Sequence, residues 1–126
     1  MQSVDLAIVI PTLNEENYIG KLLDSISIQT AQPKEIVVVD AFSKDQTVSE
    51  IKSRKKALPK LRWFQIKKYT IARQRNFGAK KTTAKHILFL DADGVLKNKF
   101  VLEKYFNEIQ AKDPDVAAAV NLPNSK

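Results

Sequence analysis

The feature that most constrains the fold is a regular alternation of short apolar runs with helix-like segments. Five runs rich in β-branched, leucine and aromatic residues occur along the 126-residue chain. Consecutive apolar residues, with few polar ones between them, are typical of strands that are buried on both faces, as in a parallel sheet. The predicted strands cover residues 6–10, 35–39, 61–66, 86–90 and 116–120.

The segments between these runs have the pattern of helices. Apolar residues recur there at the three- and four-residue spacing of an amphipathic helix. Residues 12–15 and 43–46 have the spacing of a helix capping box, so we expect helices to begin directly after the first two strands. The sequence therefore predicts an α/β fold, a three-layer sandwich around a mostly parallel sheet, with residues 1–126 forming a single domain.

Composition and charge narrow the range of partners. The net charge is +7, which favours anionic partners such as nucleotide phosphates or an anionic membrane surface. The densest basic stretch, residues 52–56, is interpreted as a solvated helix face, with a membrane-facing patch as the alternative. No recognition-helix or RNP-type pattern accompanies the charge, so nucleic acid is not expected as a partner. Peripheral membrane contact and a homodimer are left open.

Cysteine content and the N-terminus bear on localisation. The chain has no cysteine, which excludes a disulfide framework and a thiolate zinc site. The first residues lack a basic region followed by a long apolar stretch, so we expect no signal peptide. The longest apolar runs are strand-sized. We therefore expect a cytoplasmic protein, which includes a location at the cytoplasmic face of a membrane.

Polar side chains with ligand-binding chemistry follow three of the predicted strands. In open α/β sheets, ligands bind beyond the carboxyl ends of the strands, so these residues are expected at one edge. Helix capping by Asn14 and Ser43, and a helix-dipole role for Asp45, are structural alternatives that stay open. The residues in question are Asn14, Glu15, Asp40, Ser43, Asp45, Asp91 and Asp93.

The segment Asp91-Ala92-Asp93 suggests a metal site. Two aspartates that leave a buried strand repel each other and lose hydration unless a cation compensates. On an extended segment they would point the same way, and hard oxygen ligands suit Mg²⁺ or Mn²⁺. The three glycines of the chain form neither a P-loop nor a G-x-G-x-x-G motif. A bound phosphate would therefore depend on a metal and on Arg73 or Arg75.

Four sequence blocks together resemble family 2 glycosyltransferases of the GT-A, Rossmann-like type. The blocks are AIVIPTLNEE at 7–16, EIVVVD at 35–40 with Ser43, Asp45 and Thr47, ARQRNFGA at 72–79, and LFLDAD at 88–93. Their order and spacing resemble the N-terminal, nucleotide-sugar-binding half of that family, in truncated form. The resemblance implies a hexosyltransferase-like enzyme that takes a nucleotide-sugar donor and an unidentified acceptor, which is a glycan, a lipid or a protein.

The resemblance also implies roles for individual residues. Arg75, or Arg73, would reach the base or diphosphate, and Asp40 would form the floor of the nucleoside pocket. Asp91 would touch the ribose or the metal, and Asp93 would coordinate Mn²⁺ or Mg²⁺ within the D-x-D motif that Ala92 completes. The residues that would line the base and ribose pocket are Pro11, Thr12, Asn14 and Glu15.

Two departures from the family pattern, and two other interpretations, accompany this resemblance. Family members often carry a second aspartate where this chain has Ala41, so the base is not predicted. The carboxylate that activates the acceptor belongs to a following half, and we expect it to be missing from these residues. Residues 89–96 also resemble the nucleophile motif of haloacid-dehalogenase-type phosphatases, with Asp91 as nucleophile and Asp93 as acid/base. A non-catalytic nucleotide-binding or interaction domain is the other alternative.

Overall fold

A parallel sheet of five strands organises the protein, as seen in a computed structural model that describes residues 2–67, 70–112 and 119–121. The strands lie in the order β3-β2-β1-β4-β5, and each neighbouring pair is parallel. The predicted parallel α/β architecture is therefore confirmed. The elements, in chain order, are β1 (Gln2–Thr12), α1 (Ile19–Ser27), β2 (Ala31–Asp40), α2 (Thr47–Lys52), β3 (Leu61–Gln65), α3 (Ile71–Lys80), β4 (His86–Phe89), α4 (Val101–Lys112) and β5 (Ala119–Asn121).

Helices cover both faces of this sheet, which gives three layers. On one face, alternate β1 residues such as Leu6, Ile8 and Ile10 pack with apolar residues of α1, α2 and α4 into the larger core. On the other face, Val9 packs with Val37, Val39 and Phe77 of α3 in a smaller cluster. Because successive strand residues point to opposite faces, an unbroken apolar run supplies both cores at once.

Strand bounds differ from the predicted ones mainly at the amino ends. β1 and β2 span 11 and 10 residues, and their register shifts between Val4 and Ala7. The extra residues include polar ones that a search for apolar runs passes over. The predicted fifth strand, 116–120, lies partly outside the described residues, and its remainder falls in β5.

The predicted capping boxes are wrong. Thr12 is the last residue of β1 and is buried, and α1 begins only after Tyr18, which makes no side-chain capping bond. Likewise α2 begins after Gln46, without a side-chain cap. Thr12, Asn14 and Ser43 form hydrogen bonds across the two loops instead, so these groups are not available for local capping. Asp45 also bonds locally, accepting from the N–H and hydroxyl of Thr47 at the start of α2.

Gly78 lets α3 lie close against the sheet. A Cβ added there would be 2.4 Å from Val9 Cγ1 and 3.2 Å from Val39 Cγ2. Val9 is fully buried and β-branched, so neither the strand nor its side chain can yield easily. Since α3 carries Arg73, Gln74 and Arg75, this close approach sets how those side chains meet the carboxyl edge.

We expect Gly78→Ala to lower the free energy of unfolding by about 1–3 kcal/mol, because overpacking outweighs the gain in helix propensity. Urea denaturation measures the change. Gly20→Ala is the matched control: its Cβ would meet the flexible guanidinium of Arg54, which can move aside. A Gly78→Ala variant as stable as the control would show that α3 is not held at contact distance.

The basic stretch at 52–56 is partly committed to structural contacts. Arg54 pairs with Asp24 and Glu50, at 3.0 Å in each case. Lys55 Nζ donates to the carbonyl oxygens of Pro59 and Leu61 at 2.7 Å. Lys52 and Lys56 are exposed, as expected for a solvated face. None of the helices in the described part of the chain is long and apolar enough to cross a membrane.

Candidate functional site

A cavity of about 400 Å³ lies at the carboxyl edge of the sheet, between the ends of β1 and β4. It brings together residues that are far apart in sequence, including the first and the last of the predicted site segments. Six of the predicted site residues, Ala92 included, line this cavity. The lining residues are Pro11, Thr12, Leu13, Glu15, Ile71, Gln74, Asp91, Ala92 and Asp93.

Asp40 holds the ends of three strands together at this edge. Its carboxyl group is fully buried and accepts hydrogen bonds from four donors. Thr12 Oγ1 donates at 2.8 Å, and Gln65 Nε2 donates at 3.2 Å. Ser43 donates twice, from its backbone N–H at 2.9 Å and from its hydroxyl at 2.5 Å. Asp40 therefore supports the wall of the cavity, next to the lining residue Thr12.

The loop after β1 and the loop after β2 are bound to each other by reciprocal hydrogen bonds. The Asn14 N–H donates to Ser43 Oγ at 2.8 Å, and Asn14 Oδ1 accepts from the Lys44 N–H at 2.9 Å. The Glu15 N–H donates to Thr47 Oγ1 at 2.7 Å. Asn14 and Ser43 thus join the two loops, and neither caps a helix. The exposed Asn14 side chain lies outside the cavity lining, on the rim that these bonds fix.

The segment Asp91-Ala92-Asp93 forms a turn and not the extended segment expected from the sequence. The Gly94 N–H donates to the Asp91 carbonyl at 3.2 Å, which closes the turn. Asp91 and Asp93 nevertheless both line the cavity, while Ala92 is almost fully buried between them. Convergence of the two carboxyl groups, the functional part of the expectation, is therefore retained by a different backbone.

The carboxyl groups at this edge lie close enough together that several of them affect the pKa of Glu15. The pKa of Glu15 is raised, first by burial and then by the negative charges of Asp93, Asp45 and Asp91. Burial also acts to raise the pKa of Asp45, but hydrogen bonds from the Thr47 hydroxyl, the Thr47 N–H and the Glu16 N–H outweigh it and lower that pKa. The site is thus electrostatically prepared to receive positive charge.

The two candidate arginines of α3 lie in different places. Arg75 Nη2 lies 3.3 Å from Asp91 Oδ1, and its guanidinium lies over the Phe89 ring at 5.5 Å. Its Nε is buried and has no hydrogen-bond partner in the part of the chain that is described. Arg73 lines a second cavity of about 440 Å³ with Ile66, Asn76, Phe77 and Lys80. Arg75 therefore lies beside Asp91, and neither arginine is among the residues that line the first cavity.

Gln74 is a site residue that the sequence did not indicate. It is almost fully buried, and its Nε2 donates to the carbonyl oxygens of Thr12 and Val39, at 2.9 Å in each case. It thereby ties α3 to the ends of β1 and β2 and lines the cavity. Because Gln74 lies between two arginines, the sequence indicates a charged segment and gives no sign that the amide is buried. Leu13 and Ile71 were missed because isolated apolar residues carry no chemical signal.

Residues of the predicted strands that lie outside the cavity lining serve in packing. His86 is fully buried, with its ring edge-on to Phe106 at 6.0 Å. Trp63 packs against the larger core and Phe64 against the smaller one, as expected for strand packing.

Asp91 and Asp93 are the candidate ligands for a divalent cation. Two aspartates line the cavity, and the charges of both act on Glu15. Within residues 2–67, 70–112 and 119–121, no group of three or more His, Cys, Asp or Glu side chains is arranged to hold a metal ion. This pair of aspartates suits Mg²⁺ or Mn²⁺ bound by one or two carboxylates together with substrate phosphate oxygens and water. The two aspartates therefore fit a metal ion whose remaining ligands come from substrate phosphates and water.

Comparison with known proteins identifies the family. Residues 7–125 match the sequence model of Glycosyl transferase family 2. The chain belongs to this family. The match spans all four sequence blocks, whereas the resemblance to phosphatases is limited to residues 89–96. Together with the parallel sheet and the carboxylates at its carboxyl edge, it confirms both the resemblance and the GT-A type of fold.

Relatives and solved structures agree with this assignment. An uncharacterized glycosyltransferase of Rickettsia felis is 32% identical over 109 residues, which are 86% of this chain and 18% of that protein. The crystal structure of Staphylococcus aureus TarS 1-349 in complex with UDP superposes with a TM-score of 0.76 at 31% identity, over 88% of this chain and 32% of that one. TarS is a poly(ribitol-phosphate) β-N-acetylglucosaminyltransferase. The family 2 chain described here therefore spans roughly a fifth to a third of the length of these proteins.

A more distant structure shows the same fold. The Pyrobaculum calidifontis mannosyltransferase PcManGT, in complex with GDP-Man and Mn²⁺, has a TM-score of 0.73 at 24% identity. The superposition covers 87% of this chain and 33% of the mannosyltransferase chain. At this level of identity the likeness shows a shared fold.

Proposed function

We propose that this chain is the donor-binding part of a glycosyltransferase that transfers a sugar from a nucleotide sugar to an acceptor, with the help of a divalent metal. One observation carries the proposal. Three carboxylates, those of Glu15, Asp91 and Asp93, meet at one cavity at the carboxyl edge of a parallel sheet, with Arg75 beside Asp91. A diphosphate needs cations, and this edge offers one arginine and the ligands for a metal.

The nucleoside is assigned to the part of the cavity formed by the first strand and its loop. Pro11 and Thr12 line the wall, Glu15 faces the carboxylates, and Asn14 supports the rim. Asp40 underlies this wall through its bond to Thr12. Structures of TarS with UDP and with UDP-GlcNAc support a nucleotide sugar as the ligand class.

The diphosphate is assigned to the opposite wall. Asp91 and Asp93 would hold Mn²⁺ or Mg²⁺, and Arg75, attracted to Asp91 at 3.3 Å, can turn toward a phosphate once that carboxylate binds a cation. The metal, when bound, supplies Lewis-acid stabilisation of the charge on the departing nucleoside diphosphate. Arg75 adds a permanent positive charge beside Asp91, and the two aspartates flank the buried Ala92 in the cavity lining.

The acceptor side is proposed in class only. The acceptor is a glycan, a lipid or a protein, and a cytoplasmic location, with contact at the face of a membrane, stays part of the proposal. Of the acidic residues after the D-x-D turn that the structure describes, Glu103 and Glu108 lie on α4 and outside the cavity lining. We assign no acceptor-activating base among them.

Titration calorimetry with UDP and GDP tests the donor-binding proposal. We expect at least one of the two to bind in the presence of Mn²⁺ or Mg²⁺, and to bind roughly tenfold or more weakly in EDTA, because no glycine-rich phosphate loop replaces the metal. Equal affinity with metal and with EDTA would contradict the metal dependence. Absence of binding to either nucleotide under both conditions would contradict the donor-binding role itself.

A further inference from the structure

Phe42, in the loop that follows β2, combines two unfavourable features. Its backbone φ is 55°, in the left-handed region that bulky side chains rarely adopt. Its aromatic ring is also 48% exposed, so burial of the ring does not offset the strained backbone. Strained conformations of this kind concentrate at sites of function, where the surrounding structure enforces them.

The backbone on both sides of Phe42 is held in place. The Ala41 N–H donates to the Thr12 carbonyl at 3.0 Å, and the Ser43 N–H donates to the Asp40 carboxyl group at 2.9 Å. Ser43 in turn accepts from the Asn14 N–H. The turn is therefore fixed by the same bonds that build the wall and rim of the cavity, and these bonds place the backbone of Phe42 at that edge.

The cavity lacks a feature that a nucleoside would use. Aromatic side chains give nucleobases a face to stack on, with little dependence on sequence. Of the described residues that line the cavity, none is aromatic. Ala41, which precedes Phe42, is nearly buried and offers no side-chain hydrogen bond to a base. Phe42 is not among the lining residues, but it follows Ala41, whose N–H donates to the carbonyl of the wall residue Thr12, so the loop brings an aromatic residue next to this wall.

We propose that Phe42 binds the nucleobase of the donor by stacking, and that its left-handed backbone presents the ring for this contact. The proposal rests on the donor-binding function proposed above and adds the residue that contacts the base. Stacking makes Phe42 a binding residue whose presence lowers the stability of the free protein and raises its affinity for nucleotide.

Phe42→Gly separates these two effects. Glycine adopts a positive φ without strain, so we expect a Tm equal to or above that of the parent protein. Affinity for UDP or GDP in the presence of Mn²⁺ should fall by roughly 5- to 150-fold, the range for removing one base–aromatic stack. Differential scanning fluorimetry and calorimetry measure the two quantities. Unchanged nucleotide affinity in a folded Phe42→Gly variant would overturn the proposal.

Three companion measurements identify the stacking contribution. Phe42→Tyr should retain the parent affinity, while Phe42→Leu, which is apolar but not aromatic, should lose it as Phe42→Gly does; equal affinity of the Leu and parent proteins counts against stacking. Phe100→Leu is the matched control, since Phe100 is 50% exposed and lies next to Lys99, which binds Thr30 at the start of β2, far from the cavity. If the parent binds neither nucleotide, the donor-binding function and this inference both fail; if the parent binds and the Phe42 variants bind equally, only the inference fails.

Discussion

Replacement of Asp40 by alanine is expected to lower the free energy of unfolding by about 2–4 kcal/mol. The change leaves the Thr12 hydroxyl, the Gln65 amide and the two Ser43 donors without their shared acceptor. Thr12 is buried with Asp40, so water replaces the lost partner poorly. Chemical denaturation of the parent and variant proteins measures the difference.

Asp24→Ala is the matched control for that experiment. Its side chain is 63% exposed and pairs with Arg54 on the surface, so its removal should lower the free energy of unfolding by at most about 1 kcal/mol. Asp40→Asn should fall between the two, because an amide oxygen keeps some of the four bonds while its NH₂ group faces other donors. If Asp40→Ala is as stable as Asp24→Ala, the buried carboxyl group does not hold the three strand ends together.

The second large effect is expected for Asp93→Ala. Asp93 lies in the turn after β4 and is only partly buried, so the fold should remain intact. The affinity gained by adding Mn²⁺ to a nucleoside diphosphate should drop by roughly 10- to 100-fold, at least the loss seen when a residue that only supports a metal ligand is changed. Thermal melts with Mn²⁺ and nucleotide should show a stabilising shift for the parent protein and little for the variant.

Asp45→Asn distinguishes a metal ligand from general negative charge. Asp45 also acts electrostatically on Glu15, but it is not among the residues that line the cavity. Its variant removes the same amount of charge as Asp93→Ala and should keep the metal dependence. Equal loss of metal dependence in both variants would show that the acidic edge attracts the cation without a specific role for Asp93. An Asp93→Ala protein that is unfolded without ligand would show that the residue is structural.

The sequence predicted the sheet because burial on both faces leaves a direct mark on composition. Each of the described strands overlaps a run of apolar residues, and the helical segments between the runs favour parallel pairing with crossover connections. Helix starts were predicted incorrectly because Thr12 and Ser43 have short polar side chains that serve equally well in caps and in tertiary bonds. Which use prevails depends on what lies opposite in space, and Asp40 and Asn14 are 28 and 29 residues away from their partners.

The site was predicted in part for the same reason. Asp91, Asp93, Glu15, Thr12 and Pro11 meet at one cavity because strand ends of a parallel sheet share an edge, which sequence order alone implies. Which of the two arginines lies beside Asp91 could not be predicted, because this depends on the rotation of α3 about its axis. That rotation is set by contacts such as Gly78 against Val9, which no local pattern records.

The reciprocal bonds between the loop after β1 and the loop after β2 have an evolutionary consequence. The Asn14 N–H donates to the Ser43 hydroxyl, and the Asn14 side chain accepts from the Lys44 N–H. Replacement of Asn14 or Ser43 therefore leaves a polar group of the other loop without its partner. Substitutions in the two loops should therefore be inherited in matched pairs, and a graft of one loop from a relative should fail unless its counterpart is grafted with it. Insertions that alter the acceptor preference of such enzymes would have to arise elsewhere on the rim, in segments that are not hydrogen-bonded to a second loop.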